Sequence, residues 1–275
     1  MILGIHCSVR KGFGPALEEA LSHACEAMQI LPYPRHHDPT PEECAEFKRA
    51  REASPVRRLI AHVRYVPFLA SADEKRHAHS RDLLVREFAL SKRLGAESLI
   101  IHVGAYSPGD EPAKALARFA DGCAKAWAEA GGEIELVVEN VPGGARRMGG
   151  TLEELAELGA LLERRKVPTG FCLDTAHAWA QGYDLSSAEA MWRFVGQANR
   201  LLGAERIKVF HLNDSRALLG SHREHHWHWG QGYLGTEPLE FLLNRPEFAA
   251  AVGILETPKD LDKENVALAR SLLKS

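Results

Sequence analysis

Short apolar runs alternate with longer stretches of helical periodicity from one end of the chain to the other, and these two periods specify strands and helices respectively. Strands are predicted at residues 1–7, 28–31, 59–63, 98–102, 134–139, 170–174, 207–211 and 252–256. Helices are predicted near 13–27, from Pro41 onward, over 77–94, 112–129, 186–202, 238–243 and 259–273. Another begins at Thr151-Leu-Glu-Glu, which reads as a capping box. No long linker or low-complexity tract interrupts these units. They predict one domain over residues 1–275, a (β/α)8 TIM barrel, with a doubly wound open sheet as the alternative.

The polar residues that close the strands carry more information than the strand count. LIAH ends in His62, SLIIH in His102, ELVVE in Glu139, GFCLD in Asp174, KVFH in His211 and GILE in Glu256, with His177 just beyond Asp174. Strands this apolar belong in an interior, where an unpaired charge at the end is costly. In a barrel those ends converge on one mouth, the face that carries active sites. A divalent cation gives the carboxylates and imidazoles a common partner.

Composition narrows the function. A chain of 275 residues suits a barrel, for which about 250 is typical. The net charge of −3 excludes a polycation that coats nucleic acid indiscriminately. Cys7, Cys25, Cys44, Cys123 and Cys172 are scattered, with no C-x-x-C pair, which argues against a disulfide framework or a cysteine-based zinc knuckle. A reduced, cytoplasmic setting is expected. Neither a signal peptide nor an apolar run long enough to cross a bilayer is read.

The densest chemistry lies in residues 210–235, FHLNDSRALLGSHREHHWHWGQGYLG, which hold five of the 14 histidines. Together with the strand ends, this stretch brings the candidate ligands to about nine, against roughly four per zinc. That excess predicts two or three ions sharing carboxylates. Histidine, aspartate and glutamate suit Zn²⁺, with Mn²⁺ or Fe²⁺ as alternatives, better than Mg²⁺. Clustered ions of this kind serve phosphoester hydrolysis.

With CLDTAHAWAQGYD (residues 172–184), HLNDS (211–215), VEN (138–140) and LETP (255–258), the chain resembles the endonuclease IV family of apurinic/apyrimidinic (AP) endonucleases, on a xylose-isomerase-like barrel. The resemblance spans essentially the whole chain. It implies a trinuclear zinc site: His62, His102 and Glu139 on one ion; Glu139, Asp174, His211 and Glu256 on the second; His177, Glu224 and His226 on the third. It also implies hydrolysis of the phosphodiester 5′ to an abasic site in double-stranded DNA, in base excision repair. A bridging hydroxide is then the nucleophile, and Glu139, Asp174 and Glu256 are the residues nearest the reaction. The departures cluster in loops. Glu224 stands where the family has Asp, His102-Val-Gly replaces His-Pro-Gly, Asn140-Val-Pro-Gly replaces Asn-Thr-Ala-Gly, and Tyr33-Pro-Arg-His replaces the Gln-Arg-Trp region. In that third set, His225 and His228 are competing donors.

Cationic loop residues predict a DNA-facing mouth: Arg35, Arg64, Arg146 and Arg223, together with Arg10, Lys11, Arg147 and Arg216. Tyr65 aligns with the residue that the family wedges into the duplex, and Trp227, Trp229 and Tyr233 offer stacking surface. Asn140, Asn213 and Gln181 are candidates for orienting the ligands through hydrogen bonds. His6, His36, His37, His77 and His79 are expected to be structural or surface residues. Nothing in the sequence demands more than a monomer or a membrane contact. Two other readings compete: a metal-dependent sugar isomerase or epimerase on the same barrel, and a DNA-binding relative without turnover.

Overall fold

The structure is a computed structural model that describes residues 1–65 and 67–274. Eight parallel strands close into a barrel: β1 (Ile2–His6), β2 (Ala27–Ile30), β3 (Arg58–His62), β4 (Ser98–His102), β5 (Glu135–Glu139), β6 (Thr169–Asp174), β7 (Ile207–His211) and β10 (Val252–Leu255). They pair in chain order, and β10 closes on β1. The open-sheet alternative is thereby excluded. Around them run α1 (Phe13–Ser22), α2 (Pro41–Glu52), α3 (Glu74–Leu94), α4 (Pro112–Glu129), α5 (Leu152–Arg164), α7 (Ala188–Leu202), α8 (Glu237–Leu243) and α9 (Asp262–Leu272).

Helix starts follow their caps. Thr40 and Glu43 form a reciprocal capping box on α2, and Thr151 and Glu154 form another on α5. Asp73 accepts from the amides of Lys75 and Arg76, so α3 starts earlier than periodicity alone predicts. The seven-residue α6 (Thr175–Gln181) is not foreseen in the sequence reading. It is too short to establish a period, and nearly every residue in it is buried. Glu256 lies one residue beyond β10 rather than within it. In the loop after β7, β8 (Asp214–Ser215) and β9 (His226–Trp227) pair antiparallel, a ribbon that the sequence reading lacks.

Inside the barrel, Ala27, Ile60, Ile100, Val137, Cys172, Val209, Val252 and Ile254 pack as a separate apolar layer. This layer is the floor beneath the mouth. Gly4 belongs at its tightest point: a Cβ there would lie 2.3 Å from the Ala27 carbonyl oxygen. Gly4→Ala is therefore expected to push β1 away from β2 and cost about 1–3 kcal/mol, the usual range for overpacking. Urea denaturation checks this; an unchanged midpoint would show that the barrel yields freely at this point.

Candidate metal centre

Because side chains alternate along a strand, residues two apart share a face. The position two beyond a floor residue therefore points into the mouth. Ile60 leads to His62, Ile100 to His102, Val137 to Glu139, Cys172 to Asp174, Val209 to His211 and Ile254 to Glu256. By the same step Ala27 leads to Gln29, and Gly4 to His6. Every barrel strand thus contributes one polar group to a ring above an apolar floor.

Glu139 sits at the centre of the ring and is almost fully buried. Its two oxygens face different partners. Oε2 lies 3.0 Å from His62 Nε2 and 2.9 Å from His102 Nε2. Oε1 lies 3.0 Å from His211 Nδ1 and 3.2 Å from His177 Nδ1. His211 Nδ1 is also 3.2 Å from Glu256 Oε2 and 3.7 Å from Asp174 Oδ2. A carboxylate whose oxygens address two donor sets has the geometry of a bridge between cations.

Backbone carbonyls choose the tautomers of three imidazoles, because a carbonyl can only accept. His62 Nδ1 donates to Val63 at 2.8 Å, His177 Nδ1 to Asn140 at 2.9 Å and His226 Nδ1 to Glu256 at 3.3 Å. In the neutral imidazole each Nε2 lone pair is thereby left toward the cleft. His177 and His226 bring these atoms within 3.4 Å of each other. Glu224 reaches to 3.5 Å from the first and 3.9 Å from the second, although its side chain is 56% exposed. Asp174 Oδ2 is 3.3 Å from His226 Nε2, so it stands between this set and the His211 set.

Local structure explains how these residues meet. Asp174 accepts from the His177 amide and caps α6, which turns His177 back over the mouth. Asn140 donates to the Asp174 carbonyl and accepts from its amide, and Asn213 donates to Asp174 Oδ2. Both asparagines hold ligand candidates as the sequence suggested. Asp214, fully buried, accepts from the amides of Ser215, Gly230, Gly232 and Leu234. That fan ties down the loop carrying Glu224 and His226.

The electrostatics agree with a cation site. Burial alone would raise the Glu139 carboxyl, yet the imidazoles of His211 and His102 hold it well below the usual range. Glu256 behaves alike: burial opposes its charge, and the His211 imidazole restores it. Burial would lower His177, but Asp174 and Glu139 raise it well above its ordinary value. For His211, burial is likewise overcome by the carboxylates of Glu139 and Glu256. The neighbouring His177 imidazole draws the Glu224 carboxyl down to about 2. Burial pushes the Cys172 thiol up to about 12, in keeping with a floor residue.

Three comparisons bear on this arrangement. Residues 17–275 match the family model of the xylose isomerase-like TIM barrel. A relative from Trichlorobacter lovleyi, described as a probable endonuclease 4, is 33% identical over 98% of this chain and 99% of its own. The crystal structure of endonuclease IV from Thermus thermophilus superposes with a TM-score of 0.85 at 31% identity, covering 99% of this chain and 98% of that one. The chain belongs to the endonuclease IV family. A D-tagatose 3-epimerase-like protein, at 18% identity and a TM-score of 0.73, shares the fold.

Within this endonuclease IV barrel the cationic residues lie in loops that follow barrel strands. Arg35 and Arg64 line a trough of about 730 Å³ that shares His6 and Arg64 with the ligand cleft. Arg64 donates to the Tyr33 carbonyl, and Tyr65 beside it is 55% exposed. Arg146 and Arg223 are exposed, the former donating to the Tyr106 carbonyl at 3.1 Å. Several expectations are corrected. Trp229 is buried and donates to the Leu212 carbonyl, so it offers no stacking surface. His228 is buried against Asn265, 3.4 Å from Asp260, and does not compete for the third set. His225 is exposed and meets Trp227 edge-on. Gln181 fills the space that a Cβ on Gly143 would need, and its buried Oε1 has no hydrogen-bond partner among the described residues. His6, expected to be structural or on the surface, lies 3.4 Å from Glu256. Gln29 was missed, although the two-residue step from the floor identifies it.

Imidazoles raised in this way carry protons that a cation must displace. Metal uptake is therefore expected to release protons, and affinity to fall as pH drops through the neutral range. Titration calorimetry in buffers of different ionisation enthalpy checks this; a buffer-independent heat would contradict it.

Proposed function

We propose that the chain is a metal-dependent AP endonuclease that hydrolyses the phosphodiester 5′ to an abasic site in double-stranded DNA, acting in base excision repair. The observation that carries the reading is Glu139, with one oxygen toward the Nε2 atoms of His62 and His102 and the other toward His211 Nδ1. The donors fit up to three ions in the sets named from the sequence, and all-nitrogen-and-oxygen ligation favours Zn²⁺ over Mg²⁺, with Mn²⁺ or Fe²⁺ as alternatives. The His177–His226–Glu224 set supports this reading over a sugar isomerase, which needs no such third group.

When bound, the ions supply an activated water and neutralise charge on the leaving oxygen. The residues of the chain have distinct tasks. Glu139, Asp174 and Glu256 fix negative charge at the base of the cleft, and the carbonyl-held imidazoles present their lone pairs without reorganisation. Arg35, Arg64, Arg146 and Arg223 neutralise phosphates around the mouth, and Tyr65 enters the gap left by the missing base. Its partners are damaged DNA and metal, and it acts as a cytoplasmic monomer.

Chelator-treated protein is expected to lose incision of a duplex carrying one abasic-site analogue, and zinc to restore it. Glu139→Gln is expected to lower the rate on the order of 10³-fold, corresponding to several kcal/mol. Incision that survives both treatments would reject the reading, and a metal content near one per chain would favour the isomerase. Arg35→Ala is expected to reduce the salt slope of DNA binding by about 1, measured by fluorescence anisotropy across a salt series.

A further inference from the structure

His62, His177 and His226 are oriented by main-chain carbonyls, which no substitution removes. His211 differs. Its Nε2 faces the side chain of Gln29, with Oε1 at 2.8 Å. Gln29 is fully buried on β2, across the barrel from β7. Its amide nitrogen has two further neighbours: Glu256 Oε1 at 2.5 Å and His6 Nδ1 at 2.9 Å.

The chemistry allows one assignment. An ionised Glu256 only accepts, so the amide nitrogen must face it and the amide oxygen must face His211. That oxygen cannot donate, so neutral His211 carries its proton on Nε2 and keeps Nδ1 as the lone pair an ion would use. Nδ1 is the atom that faces Glu139, Asp174 and Glu256. The second amide hydrogen goes to His6 Nδ1, which keeps the amide from flipping. An inverted amide would set its oxygen against the Glu256 carboxylate.

We infer that Gln29, braced by His6, is the positioning residue that sets the His211 tautomer and the orientation of Glu256, and so governs retention of the ion held by Asp174, His211 and Glu256. The inference rests on the metal reading given above. A group that orients a ligand in this way is worth about 10–100-fold in metal affinity.

Gln29→Leu, close in volume, removes the acceptor and both donors. Gln29→Glu keeps an acceptor for His211 but sets a carboxylate against Glu256. Three measurements on the full chain separate the outcomes: metal content by mass spectrometry, the rate of loss to a chelator, and exchangeable imidazole protons in the proton NMR spectrum of the Co²⁺-loaded protein. Circular dichroism verifies folding.

For Gln29→Leu the expected result is about one ion fewer per chain or 10–100-fold weaker retention of one ion. The His211 Nε2–H signal is expected to vanish while those of His62 and His177 persist. For Gln29→Glu that signal is expected to remain even as the ion weakens. Unchanged content, retention and spectrum in a folded Gln29→Leu would overturn the assignment. So would uniform loss of all ions and all signals, which marks a merely structural residue. The wild-type count separates the two readings: a wild type that takes up no ions overturns the functional reading and this assignment together. A normally loaded wild type beside an unaffected variant overturns the assignment alone.

Discussion

A buried carboxylate with no cation nearby is among the costliest things a protein interior can hold. Glu139 is a buried carboxylate placed above a layer of apolar side chains. Four imidazoles approach its two oxygens, and among the described residues no lysine or arginine shares that shell of contacts. Much of the architecture follows from keeping this charge compensated. Strands β3, β4 and β7 end in histidine, α6 begins where it does so that His177 returns to the mouth, and the long loop after β7 delivers His226. The same compensation that makes the site tolerable makes it attractive to divalent ions.

The loop after β7 shows how a distant segment acquires the same rigidity. Its anchor is Asp214, whose carboxylate gathers four backbone amides from both ends of the loop. Carboxylate-to-amide bonds of this type are among the stronger hydrogen bonds in proteins. They compensate for the absence of regular structure across residues 216–225. The short β8–β9 ribbon then sets the direction in which His226 points.

Most of the site was legible because the strands are so apolar that their terminal polar residues stand out: His102, Glu139 and His211 end strands predicted to the residue or within one of it. The third set depended on resemblance, since no period links His177 to His226. Gln29 escaped because a neutral amide is neither a metal ligand nor a charge, and its strand reads weakly. His228 and Trp229 misled for the opposite reason. Their residue types suggest chemistry, while their positions, fixed by Asn265 and the Leu212 carbonyl, make them core.

The two-residue step between floor and ring has a wider meaning. Apolar packing occupies one layer and the polar ring the next. A lineage could exchange its catalytic groups one strand at a time without unfolding the barrel. An epimerase-like protein of 18% identity shares this fold.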